Sequence, residues 1–154
     1  MEELMGMNIN GFGKASQKMI KKFEQHIGFS LPEDYKQFLS EYNGGTAKVR
    51  YSTFVVKDID QIIPLDVLFG LGVIEELDLQ YWNDEYRDDL LPNSIIIGHD
   101  PGSGMIVLIN DPEIQGVYYW DHSFYFEESN EEENTYKIAD SFRSFIEGLK
   151  DPQK

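Results

Sequence analysis

One stretch of the chain reads Leu31-Pro32-Glu33-Asp34-Tyr35-Lys36-Gln37-Phe38-Leu39-Ser40-Glu41-Tyr42-Asn43-Gly44-Gly45. It has the start, the apolar face and the stop of a short helix. Pro32 suits the first helical position, because its φ is fixed near the helical value and its missing N–H would have no partner there. Apolar side chains recur at i, i+3, i+4 and i+7 and form one face that must be covered: Tyr35, Phe38, Leu39 and Tyr42. Asn and Gly adopt the left-handed conformation of a C-terminal cap, so Asn43-Gly44-Gly45 ends the helix. The stretch predicts a half-buried helix over residues 32–43.

Two more helices are predicted on either side of this one. Residues 15–27 carry one apolar face and end at Gly28, and the short link to the next helix predicts a helical hairpin. A last helix near residues 140–150 is capped by Asp140 or Ser141. We expect the periodic faces of the second and last helices to be buried, and their members are Tyr35, Phe38, Leu39, Phe142, Phe145 and Ile146.

Three short apolar runs in the middle of the chain predict an antiparallel meander. They cover residues 94–98, 105–109 and 117–120, and turn residues separate them, including Asp100-Pro101-Gly102-Ser103-Gly104. Uninterrupted apolar runs in the first two strands indicate that both faces of the sheet are covered. The meander is therefore the predicted centre of the core.

The rest of the first half gives weaker patterns. Residues 46–58 predict a strand from their β-branched and aromatic content, and residues 62–69 predict an edge strand or extended loop because Pro64 interrupts them. Residues 74–87 predict a helix. Helices first, strands in the middle and a helix last indicate an α+β fold, with an antiparallel or mixed central sheet flanked by helices.

The opening stretch also resembles the signature of the SUKH superfamily, which includes the yeast cell-wall assembly regulators. The resemblance rests on Leu31-Pro32, Tyr35-Lys36, Phe38-Leu39 and Tyr42-Asn43-Gly44-Gly45. Three later segments fit the same layout, namely 63–72, 91–104 and 140–149, so that the resemblance covers roughly residues 14 to 150. It implies a SUKH-like fold. It also implies an immunity role, because bacterial members are largely regarded as proteins that bind and neutralise a toxin, often a nuclease.

Length and composition limit the remaining possibilities. The chain has 154 residues, which fits one domain spanning 1–154, with residues 1–13 as an N-terminal arm. It has no cysteine, and its start lacks the basic and apolar regions of a signal peptide, so we expect a cytoplasmic protein. The formal net charge of −15 repels nucleic acid and membrane surfaces and attracts basic partners. The alternative explanation is that an acidic surface only keeps the protein soluble.

Three motifs contain catalytic residue types, but none predicts a catalytic, metal or cofactor site. Neighbours in Asp121-His122-Ser123 would point to opposite faces of a strand and could not form a triad. His99 and Asp100 at a hairpin mouth are typical of groups that satisfy local backbone atoms. Residues 98–104 contain Pro101, lack a following lysine and precede a strand, so they predict a turn instead of a phosphate-binding loop.

The predicted partner-binding segment interleaves three aromatic side chains with acids. Aromatic residues supply binding hot spots, and carboxylates steer a basic partner toward them. The candidate residues are Asp78, Tyr81, Trp82, Asp84, Glu85, Tyr86, Asp88 and Asp89. The alternative is that Trp82 and one tyrosine belong to the core while the acids solvate the outer face. A second candidate, Glu127 to Glu133, lies in an acidic run that is typical of a solvated loop.

Together these features predict a non-enzymatic binding protein. The first hypothesis is an immunity-type inhibitor that occupies the active face of a basic toxin domain. The second is a regulatory scaffold, as the eukaryotic relatives suggest, and the third is an enzyme with an unrecognised carboxylate site. The sequence leaves the partner's identity and the oligomeric state open.

Overall fold

The computed structural model describes residues 9–102, 104–121 and 135–151. They form a seven-stranded antiparallel sheet, a separate two-stranded sheet and four α-helices, which confirms the predicted α+β class. In chain order the elements are β1 (Ile9–Gly11), α1 (Gln17–Ile27), α2 (Glu33–Glu41), β2 (Gly45–Ala47), β3 (Thr53–Val56), β4 (Gln61–Pro64), β5 (Val67–Leu68), α3 (Leu79–Glu85), β6 (Ser94–His99), β7 (Gly104–Ile109), β8 (Gly116–Asp121), β9 (Thr135–Ala139) and α4 (Phe142–Glu147).

The predicted meander forms the centre of the main sheet, whose strand order is β1-β2-β5-β6-β7-β8-β9. Strands β6, β7 and β8 follow one another through short turns and pair antiparallel along most of their length. Consecutive residues are buried in both Ile95–Ile97 and Met105–Ile109, so both faces of these strands are covered. Helix α3 contacts β6, and α4 contacts β8 and β9.

Three of the four predicted helices, those near residues 15–27, 32–43 and 140–150, are confirmed, with shifts at their ends. Ser16 caps α1, and Gly28 ends it with a φ of 87°. Pro32 is the N-cap of α2 and not its first helical residue, because its ψ of 150° is extended and the helix begins at Glu33. Ser141 and Ser144 form a capping box at the start of α4.

The helix faces are buried as predicted. All six side chains expected in the core are at most 7% exposed, namely Tyr35, Phe38, Leu39, Phe142, Phe145 and Ile146. Phe142 lies against both aromatic rings of α2, with ring centroids 5.0 Å from Tyr35 and 4.8 Å from Phe38. Glu24 joins α1 to the start of α2 by accepting the backbone N–H of Leu31 at 2.7 Å.

The single strand predicted over residues 46–58 is wrong. Its first part is β2 in the main sheet and its second part is β3 in the small sheet, with a turn between them. The chain turns where Tyr51 adopts a left-handed φ of 64° and where the Ser52 hydroxyl donates to the carbonyl of Val49 at 2.7 Å. No glycine or proline marks this turn, so the strand-like composition concealed it.

The neighbouring predictions were incomplete. Residues 62–69 contribute to two strands, and Pro64 ends β4. Among the described strands β4 pairs with β3 alone, in agreement with an edge position. Within the predicted N-terminal arm, β1 pairs with β2 and Ile9 is buried. The edge strand β9 was not predicted, since the sequence analysis placed no element between the acidic run and α4.

The Asn-Gly-Gly end of α2 fixes the chain segment that leads to α3. Asn43 has a left-handed φ of 51°. Its side-chain amide accepts the backbone N–H of Leu71 at 2.8 Å and donates to the carbonyl of Leu71 at 2.9 Å. A Cβ at Gly44 would lie 2.7 Å from the carbonyl oxygen of Leu68, so only glycine fits there. This end of α2 therefore positions the candidate surface.

Candidate protein-binding surface

The helix predicted over residues 74–87 is broken into three pieces. Only Leu79–Glu85 is α-helical, and single 3₁₀ turns precede it at Glu75–Leu77 and follow it at Arg87–Asp89. Asp78 causes the first break because its carboxylate caps α3, accepting the N–H of Tyr81 at 3.0 Å. Its other oxygen accepts the N–H of Gly72 at 2.9 Å. Both oxygens of Asp78 thus hold the local backbone.

Asn83 fastens α3 to the sheet. Its side chain is buried, accepts the N–H of Ile96 at 2.7 Å and donates to the carbonyl of Ile96 at 2.8 Å. The adjacent strand β5 ends at Leu68 and therefore leaves these backbone groups of β6 without a strand partner on that side. The amide of Asn83 replaces the missing strand, so the outer face of α3 has a fixed position.

Two of the three predicted aromatic residues belong to a ladder of rings above the sheet. Trp82 stacks on Phe69 with centroids 5.0 Å apart, and Tyr86 stacks on Trp82 at 6.1 Å. Tyr86 in turn meets the edge of Trp120 at 5.9 Å. The Trp82 indole also donates to the carbonyl of Glu76 at 2.7 Å. Trp82 and Tyr86 are only half-exposed and pack against the core, as the alternative in the sequence analysis expects.

Tyr81 is the predicted aromatic residue that faces outward, with 39% of its surface exposed. The carboxylates of Glu85 and Glu75 raise the pKa of its hydroxyl above the usual value, in that order of importance. In the segment that precedes α3, Ile74 is 65% exposed. The exposed ring of Tyr81 thus lies among carboxylates, and the segment before α3 adds an exposed aliphatic side chain.

The predicted acids differ in what they contact. Asp84 bonds to Nε2 of His26 at 2.7 Å and lies 3.7 Å from Nη1 of Arg87. Other acids are exposed and form no ion pair with any residue in the described part of the chain, and these are Glu85, Asp88 and Asp89. Desolvating such groups against a cationic partner would replace water contacts with charge-assisted hydrogen bonds.

We define the acidic α3 surface as seven exposed residues of this region: Ile74, Glu75, Glu76, Tyr81, Glu85, Asp88 and Asp89. The first three were not predicted, because they precede the candidate segment, which starts at Asp78. The signal that could have found them is the run Ile74-Glu75-Glu76 directly after the glycines of the preceding turn. An exposed isoleucine beside two acids repeats the composition of the predicted segment.

Comparison with known proteins gives the family. The model of the SMI1 / KNR4 family (SUKH-1) matches residues 14–148 of this chain. The chain belongs to that family. A curated relative, the SPbeta prophage-derived uncharacterized protein YokK of Bacillus subtilis (strain 168), is 28% identical over 151 residues. The alignment covers 88% of this chain and 75% of the relative.

The SUKH-1 signature has a structural explanation in this chain. Its leucine, tyrosine and phenylalanine positions, Leu31, Tyr35 and Phe38, are buried in the core, and its Asn-Gly-Gly end holds the turn at residues 70–72. The signature therefore secures the scaffold, while the acidic α3 surface lies outside it. The family includes immunity proteins, binds partner proteins and is generally non-catalytic.

The other motifs considered in the sequence form local contacts where the structure describes them. Asp100 is buried and accepts the N–H groups of Gly102 and Gly104 and the hydroxyl of Tyr119, at 2.7, 3.1 and 2.6 Å. His99 Nδ1 lies 2.7 Å from the carbonyl oxygen of Asp100. The β6–β7 connection is the predicted turn. His122, Ser123 and the acidic run at residues 127–134 lie outside the described residues.

Within 9–102, 104–121 and 135–151, no three His, Asp or Glu side chains are grouped so that they could hold a metal ion. No helix in those ranges has both the length and the apolar character required to cross a membrane.

Proposed function

We propose that this protein is an immunity-type inhibitor that binds a basic toxin domain, of the nuclease type, and neutralises it stoichiometrically. The observation that carries the proposal is the exposed ring of Tyr81 among carboxylates that have no cationic partner within the described residues. Tyrosine is enriched among interface hot spots, and unpaired acids around it favour a cationic partner. Membership of a family that includes immunity proteins supports the same function.

The proposed mechanism is occlusion and requires no chemistry by this chain. A nuclease carries cationic side chains that contact phosphates, and the acidic α3 surface presents carboxylates in place of those phosphates. Tyr81 and Ile74 would supply the buried centre of the interface, with Glu75, Glu85 and Asp88 at its rim. The bound inhibitor would then exclude nucleic acid by charge and by volume.

The net charge supports fast binding. A chain with a formal charge of −15 attracts a basic protein over a distance set by ionic strength and raises the association rate. Rapid capture is what an inhibitor of a toxin requires, because the toxin must be blocked before it acts.

The test is capture with the products of neighbouring genes. The tagged protein would be co-expressed with each neighbouring product, and the complex examined for stoichiometry and for toxin activity. The proposal expects a one-to-one complex with a basic protein whose activity is lost on binding. An acidic partner, or a toxin that stays active in the complex, would contradict it. A signalling or cell-wall protein as the captured partner would instead support the regulatory scaffold.

A further inference from the structure

A cleft beside the acidic α3 surface has no role in the fold described so far. It has a volume of about 190 Å³ and lies between the end of α1, helix α3 and the segment that enters β6. Ile27, Phe29 and Leu91 contribute to its apolar wall, and Asp84 and Arg87 are its charged groups. The cleft thus combines an apolar wall with a carboxylate.

Hydrogen bonds fix the walls of this cleft. The side chain of Asn110 donates to the carbonyl of Ser30 at 2.7 Å and holds the loop that carries Phe29. The hydroxyl of Ser94 donates to the carbonyl of Leu91 at 2.6 Å. Asn83 fastens the helix that carries Asp84 to β6. A cleft whose walls are already fixed costs little ordering when a ligand enters, which favours binding.

The size of the cleft limits what can enter it. Sites for small molecules and cofactors usually have volumes of about 300–1,000 Å³, whereas this cleft has about 190 Å³. A single long side chain is the ligand that fits this volume. The cleft therefore has the dimensions of an anchor pocket for one residue of a protein partner.

One oxygen of the carboxylate in the cleft is open to a cationic side chain. Oδ1 of Asp84 contacts His26 and Arg87, while its Oδ2 has no partner among the residues that the structure describes. Arg87 is 57% exposed and lies 3.7 Å from Asp84, so a cation is already held loosely at this carboxylate. Glu85 and Asp88, the chain neighbours of these two residues, are exposed acids.

We propose that the cleft takes one arginine side chain of the partner, with its stem on Ile27 and Leu91 and its guanidinium at Asp84. Arginine suits the cleft better than lysine because guanidinium is less strongly hydrated and stacks on aromatic rings such as Phe29. This proposal rests on the proposed function in that the partner is a basic protein. It adds the anchor residue and its pocket to the contact surface.

The first test uses small probes and needs no partner. N-acetyl-arginine-N′-methylamide would be titrated into the labelled protein and followed by the NMR signals of Ile27, Leu91 and the Asn83 side-chain amide. Its norleucine analogue has an apolar side chain without the charge, and its lysine analogue carries an ammonium. We expect saturable shifts with arginine, weaker binding with lysine and the weakest with norleucine. Equal binding of norleucine, tighter binding of lysine, or no saturable shift would overturn the proposal.

Two substitutions should change the affinity for the arginine probe in opposite directions. Asp84→Asn should lower the affinity for the arginine probe roughly twofold to fivefold, which is the range for a partly exposed ion pair. Arg87→Gln should raise that affinity, because the guanidinium of Arg87 no longer competes for Asp84. Circular dichroism would confirm that both variants remain folded. Unchanged probe affinity in both variants would show that Asp84 does not bind the guanidinium.

The outcomes separate this proposal from the proposed function. If a basic partner binds the protein and its Asp84→Asn variant with equal dissociation rates, the cleft proposal fails and the proposed function stands. If the arginine probe binds the cleft but the captured partner is acidic, the proposed function fails and the cleft remains an arginine site.

Discussion

Replacing Asn83 by alanine tests whether its amide holds the candidate surface in place. The substitution removes both bonds to Ile96, a residue with 0% exposure, and leaves its N–H and carbonyl without their partner. Each buried backbone group left unpaired costs about 1–3 kcal/mol, and alanine recovers up to about 0.7 kcal/mol of helix propensity. The expected loss in the free energy of unfolding therefore lies between about 1 and 5 kcal/mol.

The assay is urea unfolding followed by circular dichroism, with Gln80→Ala as the control. Gln80 is an exposed residue of the same helix, so its substitution should change the free energy of unfolding by no more than about 0.5 kcal/mol. The dependence of the free energy on urea should be equal in both variants if each unfolds in one step. A loss below about 1 kcal/mol for Asn83→Ala would refute the reasoning, because Ile96 would then have other partners.

Three further predictions concern the core and the exposed tyrosine. Phe38→Ala should lower the free energy of unfolding by about 3–5 kcal/mol, because Phe38 is 0% exposed; a loss below about 1 kcal/mol in urea would contradict that burial. Tyr35→Phe should raise the free energy of unfolding by about 1 kcal/mol, because the buried hydroxyl of Tyr35 has no partner among the described residues. Tyr119→Phe should lower it by about 1–3 kcal/mol, because the hydroxyl of Tyr119 bonds to the buried carboxyl group of Asp100. Equal effects of the two substitutions in thermal unfolding would refute this contrast. Glu85→Gln should lower the pKa of Tyr81 toward the usual value of about 10. An NMR titration measures this pKa, and an unchanged pKa would place Glu85 away from the ring.

The alkaline pH dependence of stability follows from the buried tyrosines. Burial raises the pKa of Tyr35 and Tyr119 above the value of about 10 that holds in the unfolded chain. Above that pH the unfolded chain releases these protons and the folded protein keeps them, so stability is complete below about pH 10 and falls above it. The Tyr35→Phe variant should lose less stability on the alkaline side than the parent protein.

The parts of the fold that the sequence predicted correctly are those with local signals. Helix α2 follows from its apolar spacing and its Asn-Gly-Gly stop, and the β6–β7 hairpin follows from the turn at Asp100–Gly104. The turn between β2 and β3 contains neither glycine nor proline and depends on Tyr51 in a left-handed conformation, which composition does not indicate. Strand β9 has no alternation of exposed and buried residues to mark it.

The candidate surface could be predicted only in outline. The interleaved acids and aromatic residues of 78–89 are visible in the sequence, but the partners that sort them are distant along the chain. Trp82 stacks on Phe69, and Asp84 bonds to His26, which lies 58 residues away. Periodicity within one segment cannot show such contacts. The structure therefore assigns Trp82 to the core-packed ladder and leaves Tyr81 as the exposed ring.

The measurement that tests the central claim most directly is the association rate with the captured toxin at several salt concentrations. The test variant is Glu85→Gln with Asp88→Asn and Asp89→Asn. Its control removes the same charge at exposed acids elsewhere that also form no ion pair within the described residues, with Glu113→Gln, Asp58→Asn and Asp60→Asn. Asp58 and Asp60 lie at the β3–β4 connection, which contacts β9. Strand β9 is at one end of the main sheet, and β5 lies toward the other end.

At 0.1 M salt, charges act over about 10 Å, so acids at the contact surface should speed association more than distant ones. We predict that the test variant associates more slowly than the control and depends less on salt, while dissociation changes less than association. Equal association rates and equal salt dependence for the parent, test and control proteins would contradict the claim that the acidic α3 surface binds a basic toxin.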